Sequence, residues 1–238
     1  MKSPAVYSPS NTDVKQMFNH IAPTYDFLNH FLSAGIDKKW RKKTIALLAP
    51  YQPKLILDIA TGTGDLSIEA LTLNPEHITG IDISENMLQI ARKKITEKNL
   101  QQKITLLIAD SEKLPFPPSS FDTVICSFGI RNFKNLEAGI KEMHRVLKEN
   151  GIVAILEFST PKNLLIKYGY LFYFKHILPF LGKIISKSEK AYSYLPNTVM
   201  SFPQGDEFIN LLQKNGFAIK TYKRLSMGIS SVYIAMKN

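Results

Sequence analysis

The stretch Asp58-Ile59-Ala60-Thr61-Gly62-Thr63-Gly64-Asp65-Leu66 sets a carboxylate, two glycines and two hydroxyls between an apolar run and a helical pattern. It reads as a strand-to-helix turn. Glycines there let the backbone approach a ligand closely, and the following helix N-terminus offers unpaired N–H groups to an anion. Asp82 stands 20 residues after Gly62, at the end of a second apolar run. A carboxylate in that place accepts hydrogen bonds from both hydroxyls of a nucleoside ribose. Alone, Asp82 is a turn residue ahead of the helix cap Ser84. Beside the glycine turn of Gly62 and Gly64, the ribose reading prevails.

The rest of the pattern chooses the cofactor. A dinucleotide fold shows G-x-G-x-x-G, whereas the third position here is Ser67. An adenosylmethionine site needs room for a carboxylate and an ammonium at the turn, a ribose clamp and polar groups around adenine. Asp110 and Ser111, ending a third strand, supply the adenine contact. Ser127, ending a fourth, points toward the same crevice. Polar residues then recur at four strand ends along one edge, where open α/β sheets bind ligands. The reading is an enzyme that uses S-adenosyl-L-methionine to transfer a methyl group.

These residues need a scaffold. Short apolar runs alternating with helical patterns predict a parallel sheet with crossover helices. The strands fall at Leu55 to Ile59, Ile78 to Asp82, Ile104 to Ala109, Phe121 to Ser127 and Ile152 to Phe158. Phe217 to Leu225 and Ile229 to Met236 form a closing hairpin around Met227-Gly228. Helices are expected over Leu66 to Leu73, after the cap Ser84, and over Leu136 to Leu147, the last closed by Asn150-Gly151. The chain is read as one domain: a helical N-terminal arm (1–44), a cofactor-binding core (45–160), a lid or substrate segment (161–204) and a closing helix with the hairpin (205–238). The lid segment is alternatively a helical extension over the sheet edge.

Composition narrows the classes. The 238 residues are 45% hydrophobic, enough for a sizeable core, and carry a net charge of +10. That charge is uneven: +4 over residues 1–50, −2 over 51–160 and +8 over 161–238. A basic flank suits nucleic acid, an anionic membrane or an anionic substrate. The single Cys126 excludes an internal disulfide and any multi-cysteine metal site, and the five histidines lack metal-ligand spacing, so no metal is expected. Met1 to His20 lacks the apolar run of a signal peptide, which makes the cytoplasm the expected location. The apolar stretch Leu164 to Ile185 is broken by Lys167, Lys175, His176 and Lys183, a poor membrane span.

Several blocks resemble the ubiquinone/menaquinone biosynthesis C-methyltransferase family. They are Val14 to Asp26, Leu32-Ser33-Ala34-Gly35, Trp40-Arg41-Lys42, Ser127-Phe128-Gly129-Ile130-Arg131-Asn132, Arg145-Val146-Leu147 through Leu156-Glu157-Phe158-Ser159, Tyr192 to Pro196, Phe202-Pro203 and Leu225 to Ile229. The resemblance covers nearly the whole chain. It implies an α/β, seven-stranded Rossmann-like methyltransferase fold acting on a ring carbon of a polyprenylated quinol. By matching position, the family's cofactor contacts fall on Thr63, Asp82, Asp110, Ser111 and Ser127. Ala60 departs from the first glycine of many methyltransferases, and Lys148-Glu149-Asn150-Gly151 from a Lys-Pro-Gly-Gly turn, where Asn tolerates the left-handed conformation. Pro196-Asn197-Thr198-Val199 departs from an acidic stretch.

Ring-carbon methylation asks the enzyme to favour a phenolate. Arg131 is the first candidate for that support, with a structural salt bridge as the alternative. Tyr25 either hydrogen-bonds the quinol or packs. Glu157 lines the site or is held by a cap, and the base is unassigned; His20 is its candidate within the N-terminal block. The aromatics and lysines of Asn163 to Lys190 read as an entrance for a prenyl tail beside anionic lipid, or as an amphipathic helix with a solvated basic face. Demethylmenaquinol is the preferred substrate. A ubiquinone-pathway benzoquinol, an RNA or small soluble acceptor, and a basic nucleic-acid-binding protein are the rivals. A homodimer is left open.

Overall fold

The computed structural model describes residues 11–33, 35–173 and 189–238. Two helices come first, α1 (Asn11–Leu32) and α2 (Ile36–Ala46), joined through Gly35 in the left-handed region at φ 73°. The core then alternates β1 (Leu55–Ile59), α3 (Asp65–Ala70), β2 (His77–Asp82), α4 (Glu85–Glu97), β3 (Ile104–Ile108), β4 (Phe121–Ser127), α5 (Leu136–Val146) and β5 (Leu147–Phe158). Helices α6 (Leu164–Phe172) and α7 (Glu189–Ser201) follow, then α8 (Asp206–Lys214) and the hairpin β6 (Phe217–Leu225) and β7 (Ser230–Lys237).

The seven strands form one sheet in the order β3-β2-β1-β4-β5-β7-β6. The first five are parallel; β7 runs antiparallel between β5 and β6. The chain winds from β1 outward to β2 and β3, then returns to place β4 on the other side of β1. That reversal opens a crevice beyond the carboxyl ends of β1 and β4, the position where such sheets bind ligands.

Strands buried on both faces read as continuous apolar runs, and here both faces are covered. Val124, Cys126, Val153 and Ile155 face α5 and α8 through Ile140, Met143, Phe208 and Leu212. Ile56, Ile125, Ala154 and Leu156 face Trp40, Ile45, Leu66 and Ile95 from α2, α3 and α4. A smaller third cluster joins Ile21 and Ala22 of α1, Met87 of α4, Tyr170 of α6 and Val199 of α7. It packs α1, α6 and α7 together against Phe158 at the end of β5.

Several boundaries differ from the sequence reading: β3 stops one residue short of Ala109, and the hairpin connection is Ser226 to Ile229 with a 3₁₀ turn, longer than the pair Met227-Gly228. The helix expected over Leu66 to Leu73 is α-helical from Asp65 to Ala70 and tightens to 3₁₀ over Leu71–Leu73. Asn150-Gly151 does not cap α5, which stops at Val146 as the chain passes directly into β5. Lys148 to Gly151 instead form a bulge where β5 steps from pairing Phe121 with Leu147 to pairing Thr123 with Ile152. Asn150 takes φ 60° there, the left-handed conformation anticipated for it. Periodicity locates apolar residues; it is silent on extra residues looped out of a ladder. Phe174, Phe180, Lys175, His176 and Lys183 of the proposed lid lie outside the described residues.

Candidate functional site

The turn after β1 carries three left-handed residues in five: Ala60 at φ 54°, Gly62 at 57° and Gly64 at 82°. Thr61 N–H donates to the Ile81 carbonyl at 2.9 Å, tying the turn to β2. Under it lies Asp58, fully buried, whose Oδ2 accepts from Thr61 Oγ1 at 2.7 Å and Ser67 Oγ at 2.6 Å. Burial pushes the Asp58 carboxyl up to about 6, against those two hydroxyls, and the neighbouring Asp82 charge adds to the rise. Ala60 sets a second condition. A Cβ on Gly129 would come 2.5 Å from Ala60 Cβ, so the glycine of the Ser127–Asn132 block is the space that Ala60 needs.

Asp82 closes the turn from β2. Its Oδ2 accepts from Gly62 N–H at 2.9 Å and its Oδ1 from Ser84 N–H at 2.8 Å. Burial raises its carboxyl above the ordinary aspartate range, with the backbone N–H groups of Ser84, Gly62 and Ile83 opposing. A carboxylate oxygen that accepts one N–H has capacity for another donor, so both oxygens suit a pair of hydroxyls. Two buried carboxylates side by side also favour a ligand that carries positive charge.

Asp82 lines a cleft of about 690 Å³ together with Gly62, Tyr25, Asp110, Ser111 and Ser127, so six of the predicted site residues converge. Ile83, Met87, Ala109, Phe128 and Phe133 supply apolar walls of the kind that flank a planar base. Asp110 Oδ1 accepts from Glu112 N–H at 2.9 Å, which fixes its loop. Thr63 lies around the corner, on an adjoining cavity of about 390 Å³ shared with Tyr25, Ser127, Asp26 and Arg41. Its hydroxyl donates to Asp26 Oδ1 at 2.6 Å. Gly64 begins α3, where a Cβ would press to 3.2 Å on Ala91 Cβ.

The arm is bound to this turn by charge. Lys94 Nζ of α4 bridges Asp26 of α1 at 2.6 Å and Asp65 of α3 at 2.7 Å. Arg41 reaches Asp65 at 3.1 Å and also pairs with Asp37, which His30 Nδ1 meets at 2.7 Å. Burial would raise the Asp37 carboxyl, but Ser33, Arg41 and His30 together hold it below the ordinary value. Asn19 adds a neutral link, its Oδ1 accepting from Ser84 Oγ at 2.7 Å. Tyr25 comes to the cleft on this arm, its ring edge-on to Phe18 at 6.1 Å.

Arg131 stands in the salt bridge that was its alternative reading. Its Nη1 donates to Glu157 Oε1 at 2.7 Å and to the Phe128 carbonyl, and its guanidinium lies over the Phe158 ring at 5.3 Å. Its side chain is 6% exposed. Glu157 is fully buried, its carboxyl raised by burial against the Arg131 charge, and it also accepts from Phe158 N–H at 2.8 Å. His20 is exposed on α1. Asn132, which the sequence reading left without a role, does line the cleft, and its Oδ1 accepts from Tyr194 Oη at 3.0 Å. The clue was its place in the same block as Ser127 and Gly129. Phe128 and Phe133 had no separable signal, because an aromatic wall and an aromatic core residue look alike in sequence.

Residues 7–237 match the ubiE/COQ5 methyltransferase family. Over 225 residues the chain is 46% identical to a demethylmenaquinone methyltransferase of Bacteroides fragilis, covering 94% of this chain and 92% of that one. It is 43% identical over 236 residues to the protein of that name from Chlorobaculum tepidum, covering 98% and 95%. The ubiquinone/menaquinone biosynthesis C-methyltransferase of Geotalea daltonii is 42% identical over 226 residues, with 94% and 96% covered. Two solved structures share the fold. The [4+2]-cyclase SpnF matches at TM-score 0.70 and 16% identity over 99% of both chains. The magnesium protoporphyrin IX methyltransferase of Synechocystis PCC 6803, with SAH bound, matches at TM-score 0.63 and 20% identity over 96% and 100%.

The turn geometry predicts a specific coupling. Gly129→Ala overpacks against Ala60 and destabilises the fold by about 1–3 kcal/mol. Ala60→Gly in the same chain recovers most of that loss, measured by urea unfolding as a double-mutant cycle; additive losses contradict the steric account. The clamp predicts that Asp82→Ala weakens adenosylmethionine binding by about tenfold or more in calorimetry. Undiminished binding removes the ribose assignment.

Proposed function

The chain belongs to the ubiE/COQ5 methyltransferase family, and from that premise we propose that its substrate is demethylmenaquinol, methylated on the ring to menaquinol. It is an S-adenosyl-L-methionine-dependent C-methyltransferase of quinone biosynthesis. The observation that carries the choice of substrate is end-to-end similarity, above 40% identity, to proteins named for demethylmenaquinone. The benzoquinol of the ubiquinone pathway is the second reading, favoured by relatives whose names include both quinones.

When bound, S-adenosyl-L-methionine supplies an electrophilic methyl carbon on a sulfonium. Asp82 takes the ribose hydroxyls, and Asp110 with Ser111 meets the adenine edge. Gly62, Thr63 and Gly64 shape the turn for the amino-acid end, and Ser127 closes the crevice from β4. The buried carboxylates Asp58 and Asp82 supply the negative surroundings a cationic ligand needs. The chain's main task is alignment, because displacement at carbon is fast once acceptor and methyl are held in line. A quinol ring carbon becomes nucleophilic as the adjacent hydroxyl loses its proton; the new carbon–carbon bond would form as the methyl–sulfur bond breaks and the neutral thioether leaves, after which the ring carbon gives up its proton and the aromatic quinol is restored.

Tyr25 hydrogen-bonds the quinol from the arm. Arg131 is a positioning residue: through Glu157 and the Phe128 carbonyl it holds the turn that carries Phe128, Gly129 and Asn132. The arm and lid helices exclude water from the acceptor, which keeps the carbon nucleophile from competing with solvent.

The apolar tail implies that the acceptor arrives from a bilayer. Among the described residues no helix is long and apolar enough to cross a membrane. Helix α6 nonetheless exposes Leu164, Leu165, Tyr168 and Phe172, with Leu165 at 83%. Lys162 and Lys167 lie beside them, and residues 161–188 contain five lysines and no acidic residue. An apolar face beside cations supports peripheral contact with anionic lipid.

The substrate reading predicts methyl transfer to reduced demethylmenaquinol and none to an RNA control. Transfer only to the benzoquinol reassigns the pathway, and no transfer to either quinol by protein that binds cofactor overturns the substrate. The lipid reading predicts sedimentation with phosphatidylglycerol vesicles that weakens with salt and falls severalfold in Leu165→Ser/Tyr168→Ser. Unchanged sedimentation in that variant makes the exposed face irrelevant to lipid.

A further inference from the structure

We infer that Asn132 supplies the hydrogen-bond donor that stabilises the acceptor's oxyanion, and that Tyr194 is the positioning residue that fixes which end of its amide faces the cleft. The inference rests on the quinol reading and adds two residues to it.

An asparagine side chain is ambiguous. Its oxygen accepts and its nitrogen donates, and a half-turn about the last torsion exchanges them. A phenol can donate or accept, so the contact from outside the cleft sets the amide's orientation because in this structure the hydroxyl is the donor and the amide oxygen the acceptor. Tyr194, on α7 and 8% exposed, donates its phenolic O–H to Asn132 Oδ1 at 3.0 Å. Asn132 is itself 9% exposed and lines the cleft. With Oδ1 engaged, Nδ2 is the polar group left to the cavity.

The backbone beneath it is fixed. Asn132 closes the 3₁₀ turn Ile130–Asn132, its N–H donating to the Gly129 carbonyl at 3.0 Å. The neighbouring Arg131–Glu157 pair pins the same turn. A donor held this way needs no reorganisation as negative charge develops, which makes it effective toward a phenolate oxygen. The only full cation in this block, Arg131, is committed to Glu157 and the Phe128 carbonyl, and so is withheld from the acceptor.

Without the Tyr194 hydroxyl the amide can turn and present Oδ1 to the oxyanion, which repels it. The loss is partial because an amide free to turn still presents Nδ2 part of the time, whereas removing the amide removes the donor outright. Tyr194→Phe is therefore expected to lower kcat roughly tenfold, with KM and adenosylmethionine affinity within about twofold, and Asn132→Ala roughly a hundredfold. The acid limb of the kcat profile moves to higher pH in both, because the bound quinol hydroxyl loses its stabilised anion.

Two further readouts separate positioning from mere structure. Tyr194→Phe placed on Asn132→Ala costs less than about twofold more, because the tyrosine acts through the amide. Absorbance titration of bound 1-naphthol, which needs no turnover, shows its ionisation at lower pH on the wild type than on either variant. An unchanged kcat in Tyr194→Phe, a full additional tenfold loss in the double variant, or identical naphthol titrations overturns the inference. If the wild type methylates no quinol while the naphthol titrations differ as expected, the substrate reading fails and the donor assignment stands.

Discussion

The backbone leaving β1 must turn through the left-handed region three times between Ala60 and Gly64 while keeping a buried carboxylate on each side. The rest of the site follows from holding that turn still. Asp82 ties Gly62 to the end of β2, Thr61 ties the turn to Asp58, and the bare α-carbon of Gly129 makes room for Ala60. A glycine at position 60 would relax both the conformation and the packing. The alanine is tolerated because a second strand end yields space. Fold and binding site are thus one steric arrangement, set where the winding of the sheet reverses.

The segments outside the sheet serve the same edge. Helix α1 is held by Lys94 between two carboxylates, and its apolar side joins α6 and α7 in the third cluster. Exposed ion pairs contribute little to stability, but these are partly buried and networked, so their value lies in fixing the arm's position over the turn. That position brings Tyr25 and Phe18 to the cleft and lets α7 set the orientation of Asn132. The uneven charge follows the same division: residues 51–160, which include β1 to β5, carry −2, and the flanks that include α1, α6 and α7 are basic.

Much of this was legible in the residues alone. All seven strands lie close to where the residue pattern puts them; the five inner strands read as apolar runs because both their faces are covered, whereas the edge strands β3 and β6 are more exposed. Six of the nine predicted site residues share the cleft: Gly62, Asp82, Asp110, Ser111 and Ser127 lie at or after strand ends and are readable by position, whereas Tyr25 is legible only through the resemblance of its N-terminal block. Arg131 shows the limit: an arginine after a strand end has the same signature whether it faces a ligand or a buried glutamate 26 positions later. Asn132 shows the converse. Its value depends on a tyrosine 62 positions away on another helix, and no local pattern reports that contact. The bulge at Lys148 to Gly151 escaped for a third reason, because it is a property of strand pairing and not of one strand.

We assign the adenosylmethionine site to the turn and Asp82 in the geometry they already hold. A crystal structure of the protein with S-adenosylhomocysteine tests it most directly. Both ribose hydroxyls are expected on the Asp82 carboxylate, adenine beside Asp110 and Ser111, and a turn from Ala60 to Gly64 that keeps its three left-handed residues. A ribose bound elsewhere, or a turn rebuilt around the ligand, would contradict it.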